Sequence, residues 1–583
     1  MEIKRLHAVA AACALAPLLP LPAVANNVVA NPICTDNTAN FNPTLPPSID
    51  LPPGFTASVF VSGLNFPTGI AFLGDSQNFQ VFVLESGHGL GGSRCNEQGD
   101  PIVGGTFSST NPFTHDILVF NRIGTLIRGP LGKPTPSGGG FQPAGPGIDI
   151  AFVNGLSGGR LFATDSNQST HGGGQNNSSR IATVNPMTGA VTPFITDLPT
   201  GDHPTEQLAF KGGWIYWSQG STTNSGVVGL DNNGGANQSD IPCQDITLSD
   251  NVFISSLSPF VATSGYSPFG KQQPGAKIPA FFNSFTGQVR QGVCDGAILR
   301  SLLSDSTHAI EAFSWGYRNP YAIRFPPSDH PLAGGILAGE DGADERGARP
   351  SNNAPDVLQL GRQNPDGSPD YHGWPDRYGF LPSSQAVFNP IGGGSDDLCQ
   401  SPPNKPFPAC IPDVLANDVP IANVLAFPPQ PITSPLAIEG ADSSFTGVDF
   451  APDAFVTGPV RPGAVLYSLE GDFGFSPENA TEPAPVIGHE VKLINFNQLP
   501  DTPLSLQIQN FARNSTGDQA FVTPNINGFN RPTNLRFGPD GCAYVVDYGA
   551  VRDQGADSHV VGTGNGSLVQ IPGTGVVWKI CPM

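Results

Sequence analysis

The chain has 583 residues and a formal net charge of −21; 13% of its residues are charged and 38% hydrophobic. So acidic a chain lacks the clustered Lys and Arg that nucleic acid and anionic membranes select, and both are excluded as partners. Gly (71) and Pro (60) are too frequent for long helices. The 37 Phe fall in short alternating apolar runs, which argues against a disordered polymer and for many strands joined by Gly, Pro and Asn turns.

At the start of the chain, Lys4 and Arg5 precede an apolar run from Ala8 to Leu21. Ala23-Val24-Ala25 then offers a small-x-small cleavage site ahead of the polar Asn26 and Asn27. This is the pattern of a secretory signal peptide. The run is too short and too interrupted by proline to span a bilayer, and no other stretch is long enough. The expected organisation is a leader over 1–25, an N-terminal extension over 26–50 and one domain over 51–583. The mature protein is expected to be secreted or periplasmic, without a membrane span. Cys13 lies in the leader; the other eight of the nine Cys form an even set, as disulfides in an oxidising compartment require. Cys399 and Cys410 flank a proline-rich loop and are expected to pair. The sequence pairs none of the others, and it contains no C-x-x-C-H haem motif.

Six similar segments follow one another, each an apolar strand, a turn and a second strand rich in Tyr, Phe, Val or Leu. They are FPTGIAFLGDSQNFQVFVLESG from Phe66, GPGIDIAFVNGLSGGRLFATDS from Gly145, PTEQLAFKGGWIYWSQGS from Pro204, NPYAIRFPPSDHPLAGGILAGEDG from Asn319, FTGVDFAPDAFVTGPVRPGAVLYSLEGD from Phe445 and RPTNLRFGPDGCAYVVDYG from Arg531. Six hairpins of one kind predict an all-β fold, a six-bladed β-propeller of four-stranded blades, in which radial repetition protects the sheet edges. Unequal spacing between copies predicts long loop insertions, the largest a proline-rich loop over about 379–435. The C-terminal GVVWKI reads as a last strand taking part in ring closure.

In such a ring, the first strand of each blade lines the central channel, and the residues just before it gather at one mouth. The repeat alone therefore brings together His203, Arg318, Asn319 and Arg531. Each also has a plainer reading: a loop histidine, a surface ion pair, a turn residue before Pro320, a solvated strand-edge charge. The acidic turn EDGADERG holds Glu340, Asp341, Asp344 and Glu345, hard oxygen ligands suited to Ca²⁺; by spacing alone, a solvated turn is the commoner explanation.

Four ordered segments resemble the soluble quinoprotein glucose and sorbosone dehydrogenases: GDHPTEQLAFKGGWIYWSQGSTTNSG, GYRNPYAIRF, GEDGADERGARPSNNAPDVLQL with DYHGWPD, and NRPTNLRFGPDGCAYVVD. The resemblance runs from about Leu51 to Ile580. It implies an oxidoreductase that uses pyrroloquinoline quinone and Ca²⁺ to oxidise an aldose or sorbosone-like sugar, passing electrons to an external acceptor. His203 would remove the hydroxyl proton, with Asp202 tuning it, and Arg318 would stabilise charge developing on the quinone. Asn319, Glu340, Asp341, Gly342, Trp374 and Arg531 would hold the cofactor, and the metal would sit on backbone oxygens near Asp341 and Gly342. Two positions depart from the family. Glu470 stands in the fifth-blade loop where glucose-type members have a lysine, and Thr533 replaces an arginine. The alternatives are a non-catalytic extracellular propeller of the same family and a calcium-dependent propeller hydrolase.

Overall fold

The structure is a computed structural model. It describes residues 28–30, 38–40, 42–87, 115–135, 138–142, 145–153, 159–167, 177–228, 239–254, 262–263, 275–343, 349, 354–377, 387–388, 419–420, 422–431, 434–440, 443–471, 487–497, 504–522, 526–553, 568–570 and 572–583. The signal-peptide segment and the expected Cys399–Cys410 pair lie outside them. No α-helix occurs among the described residues, only 3-10 turns at Asp453–Phe455 and Ala520–Val522.

Six antiparallel sheets form the ring, and each expected hairpin opens a different one. Blade 1 comprises Pro67–Gly74, Phe79–Glu85, Asp116–Asn121 and Leu126–Leu131. Blade 2 comprises Ile150–Phe152, Leu161–Asp165, Ser179–Val184 and Val191–Leu198. Blade 3 comprises Thr205–Lys211, Trp214–Gln219, Ala297–Leu302 and Ile310–Trp315, with Asp370–Tyr371 added in parallel. Blade 4 comprises Asn319–Arg324, Ile336–Asp341, Val357–Gly361 and Ala437–Ile438. Blade 5 comprises Phe445–Phe450, Val465–Leu469, Glu490–Asn497 and Ser505–Asn514, extended by Ile49–Asp50. Blade 6 comprises Pro532–Phe537, Ala543–Asp547, Gly575–Pro582 and, outermost, Phe55–Leu64.

That last pairing closes the ring. The strand containing GVVWKI is the third of blade 6, and it pairs along its whole length with the N-terminal strand, from Gly575 opposite Leu64 to Pro582 opposite Phe55. A disulfide joins Cys542 to Cys581 at the neck of the same sheet, where Ala543 faces Ile580. The proline-rich loop expected over 379–435 lies between the third and fourth strands of blade 4. Within it, Val387–Phe388 pairs with Val419–Pro420. Blade 3 carries an insertion of comparable length, which the sequence reading did not single out. It spans 220–296 between the second and third strands and is clamped by Cys243–Cys294.

The core is divided among the blade interfaces. Six apolar clusters occur, one between each pair of neighbouring blades, including Trp217 and Leu208 between blades 2 and 3 and Trp578, Leu466 and Leu535 between blades 5 and 6. Each blade thus buries both faces, and its inner strands read as near-continuous apolar runs. The channel strands approach closely: a Cβ on Gly447 would lie 2.4 Å from the Leu535 nitrogen of blade 6. Five of the six channel strands are bulged where they leave the mouth, at Pro67/Gly69, Thr205/Leu208, Asn319/Ala322, Phe445/Gly447 and Pro532/Asn534. A bulge kinks the strand and re-aims its side chains, here at the residues that face the channel.

Candidate functional site

Below its mouth the channel is filled by a polar network from all six blades. Gln207 donates to the Thr446 carbonyl (2.8 Å), and its amide oxygen accepts from Arg536 (2.7 Å) and the Ile323 N–H (3.3 Å). Asp149 accepts from the Leu208 N–H (3.1 Å) and from Asn534 (3.2 Å), which also donates to the Thr68 carbonyl (2.9 Å). This network occupies the axis below the mouth. Thr533 belongs to this network: its hydroxyl donates to the Pro67 carbonyl (3.0 Å), tying blade 6 to blade 1. Arg536, fully buried, is a channel cation that the sequence reading missed.

At the mouth, the entry loops of blades 3 and 4 are joined through one carboxylate. Asp202, wholly buried, lies 3.2 Å from Arg318 Nη2 and 3.5 Å from His203 Nε2. The backbone sets this geometry: Asp202 N–H donates to the Thr222 carbonyl (2.9 Å), His203 N–H to the Ser221 carbonyl (3.1 Å), and Ser221 N–H to the Arg318 carbonyl (2.8 Å). Gly220 fits between the loops, since a Cβ there would fall 2.2 Å from His203 Cβ and 3.0 Å from Asn319 Oδ1. Asn319 Nδ2 donates to Asp341 Oδ2 (3.1 Å). His203, Asp202, Arg318, Asn319 and Asp341 thus form one constellation; the first three lie in the loops that enter channel strands, and Asn319 opens one.

Glu340 turns away from it. Its oxygens accept from the Arg318 N–H (2.8 Å) and Gln359 (3.2 Å), so it fixes the entry loop of blade 4. Trp374 likewise sits in the apolar cluster between blades 2 and 3 and donates to the Asn224 carbonyl (3.3 Å), a core position. Gly342 N–H donates to Asp356 (2.6 Å), and the second oxygen of Asp356 accepts from Ser443 Oγ (3.0 Å) and the Ser444 N–H (2.7 Å), binding blade 4 to the entry of blade 5. Asp344 and Glu345 lie outside the described residues. Across the mouth, Arg531 is fully buried and donates to the Gly471 carbonyl (2.9 Å), while its N–H and that of Asn530 are held by Asp547 (2.8 and 2.7 Å). Glu470 adjoins Gly471, and both are buried.

More acid gathers here than the single acidic turn that the sequence suggested. Glu206, three residues beyond His203 on the channel strand of blade 3, is buried, as is Glu470, and Asp341 is half-buried. Burial raises all three carboxyls. Asp356, Glu470 and Glu206 push Asp341 up further, with Arg318 opposing, while Arg531 holds Glu470 back to about 7. Among the described residues, Glu206 Oε2, Asn319 Oδ1, Asp341 Oδ1 and Glu470 Oε1 have no hydrogen-bond partner. Alternation of apolar residues is silent about such side chains; only the position of Glu206 in the same segment as His203 pointed to it. Asn319 Oδ1 and Asp341 Oδ1, hard oxygens on two side chains bonded to each other, suit a Ca²⁺-type cation. No group of three or more His, Cys, Asp or Glu among the described residues is spaced to hold a metal. A cation here would draw its remaining ligands from backbone oxygens and from a bound anion, and the donor set fits an anionic, metal-chelating cofactor flanked by Arg318 and Arg531.

These features define a class: a six-bladed β-propeller with one polar, arginine-flanked site at a channel mouth. No family model and no curated relative matches the chain. Solved structures similar to it include the pyrroloquinoline-quinone domain of pyranose dehydrogenase from Coprinopsis cinerea, in its holo form, at 14% identity. That match covers 91% of this chain and 97% of that chain, with a TM-score of 0.41. The soluble aldose sugar dehydrogenase of Escherichia coli, in its apo form, is similar at 12% identity over 91% and 100% of the two chains, TM-score 0.43. A calcium structure of a Trichoderma reesei enzyme of carbohydrate-active family AA12 is similar at 14% identity over 93% and 99%, TM-score 0.44. The likeness is one of fold.

Proposed function

We propose that this chain is an exported dehydrogenase that oxidises an aldose or sorbosone-like sugar, using pyrroloquinoline quinone and Ca²⁺ and passing electrons to an external acceptor. The observation that carries the reading is the Asp202 carboxylate shared by His203 and Arg318. The bound quinone supplies a two-electron acceptor for the hydride that leaves the sugar carbon. His203 takes the proton of the sugar hydroxyl, and Asp202 stabilises the imidazolium that results. Arg318, held by the same carboxylate, would present fixed positive charge to a quinone oxygen. Asn319 and Asp341 offer oxygens to the cation, and Arg531 pairs with a cofactor carboxylate. Glu206 and Glu470, each with one buried oxygen that lacks a partner among the described residues, favour a second reading, a non-catalytic binding propeller.

One experiment separates the two. The purified protein is mixed with excess quinone and Ca²⁺, its absorbance is followed, and a panel of aldoses is offered with an artificial electron acceptor. Cofactor binding with turnover is expected; an intact fold that binds no quinone transfers the assignment to the binding propeller.

A further inference from the structure

Glu470 is the unusual group of the mouth, and the proposal that follows rests on the dehydrogenase reading above. Its backbone is fixed by an N–H bond to the Ser444 carbonyl (3.0 Å), and the next residue, Gly471, accepts Arg531. His489 packs over Gly471 so tightly that a Cβ there would meet its ring at 2.3 Å, and its Nδ1 lies 2.7 Å from the Asn530 carbonyl. The backbone at Glu470 is thus set by blades 5 and 6; the residue is 6% exposed, with Oε1 lacking any partner among the described residues.

The groups facing it come from every neighbouring element. Arg531 and Asp547 belong to blade 6 and Asp341 and Tyr321 to blade 4, with Glu206 of blade 3 acting on Asp341 and His489 of its own blade packed on Gly471. Arg531, with Arg318 acting on Asp341, thus stands against three carboxyls. An ionised Glu470 would add a fourth charge in low dielectric and would repel an anion seated beside Arg531. A protonated one supplies a hydrogen-bond donor instead.

We propose that Glu470 meets the bound cofactor as a neutral carboxylic acid, donating a hydrogen bond to the cofactor carboxylate that Arg531 pairs with, so that cofactor is held in mildly acidic solution and released as Glu470 ionises. Burial, with Arg531 opposing, puts that ionisation at about 7. The cofactor's own carboxylates titrate near the ordinary carboxyl range, about 4, and stay ionised throughout. Glu470 thereby replaces fixed positive charge by a donor that pH switches on and off.

The test is equilibrium binding of pyrroloquinoline quinone to the full chain in excess Ca²⁺, read by absorbance at pH 5.5 and pH 8, for the wild type, Glu470→Gln and Glu470→Lys. Wild-type Kd is expected to rise about tenfold or more between the two pH values, roughly tenfold for each pH unit above the ionisation. Glu470→Gln, neutral at both, is expected to bind tightly with little pH dependence. Equal wild-type affinity at both pH values, or an undiminished pH dependence in Glu470→Gln, overturns the proposal and leaves the dehydrogenase reading in place. Binding by Glu470→Lys alone does the same. No binding by any variant, with circular dichroism showing the fold intact, overturns both.

Discussion

His203, Arg318 and Gly220 act at the same spot in different ways, and substitutions separate them. His203→Ala removes a group that handles the substrate's proton, so turnover is expected to fall by about two to four orders of magnitude. Quinone affinity is expected to change little, as measured by titration beside steady-state kinetics. Arg318→Ala is expected to weaken both binding and turnover. On the proposed reading its charge meets the quinone, and its loss leaves buried Asp202 without its guanidinium. In Gly220→Ala the new methyl falls inside His203; the expected result is a drop in turnover of about tenfold or more with a small change in Tm, because misplacing a catalytic group by about 1 Å is costly. A Gly220→Ala enzyme with wild-type kinetics would mean that His203 tolerates displacement.

Among the elements, the seam of blade 6 carries the clearest prediction. The N-terminal strand Phe55–Leu64 is held only by its pairing with Gly575–Pro582 and by packing against the blades beside it. The Cys542–Cys581 bond anchors the strand it pairs with. Replacing both cysteines by serine is expected to cost about 2–4 kcal/mol, the range for a loop of this length, and unfolding in denaturant with and without reductant measures it. Trp578→Ala, which empties a fully buried site between blades 5 and 6, is expected to cost about 3–5 kcal/mol. The second disulfide acts on the site instead. Cys294 adjoins Asp295, whose carboxylate accepts the Thr222 N–H (3.2 Å), and the Thr222 carbonyl holds Asp202. The insertion that the sequence reading passed over is therefore a support for the His203 loop. No periodicity marks it, because its function depends on hydrogen bonds between side chain and backbone.

For the whole molecule, the buried acids set the response to pH. Burial raises Glu470, Asp116 and Asp240 to about 7 and Asp165 and Asp356 to about 6. In the unfolded chain these groups ionise near 4, so between the two values the native state holds more protons, and stability falls as pH rises. Two histidines work in the opposite sense. Burial lowers His115 and His489 to about 3, and they favour the native state increasingly as pH rises to about 6.5, where the unfolded imidazoles stop titrating. Five carboxyls outweigh two imidazoles, so the net loss begins above about pH 4 and continues to about pH 7, where the last of these carboxyls has ionised. Thermal unfolding in chelator is expected to give a higher Tm at pH 5 than at pH 8. A Tm that climbs steadily toward pH 8 without metal would show that the mouth carboxyls are solvated.

The sequence by itself determined the blades. Hairpins such as RPTNLRFGPDGCAYVVDYG declare themselves because a strand buried on both faces must be apolar and a tight turn must contain Pro, Asp or Gly. The same repeat brought His203, Arg318 and Asn319 to one mouth, since radial symmetry places every entry loop on the same face. What only the tertiary structure decided was which polar groups touch. Asp202 pairing with Arg318 across 116 positions, Asp356 bridging blades 4 and 5, Glu340 and Trp374 turning into the interior, and Thr533 serving as an interblade bond all depend on how neighbouring blades dock. Docking is set by the summed packing of six separate interfaces, and no local pattern of residues encodes a sum over distant segments.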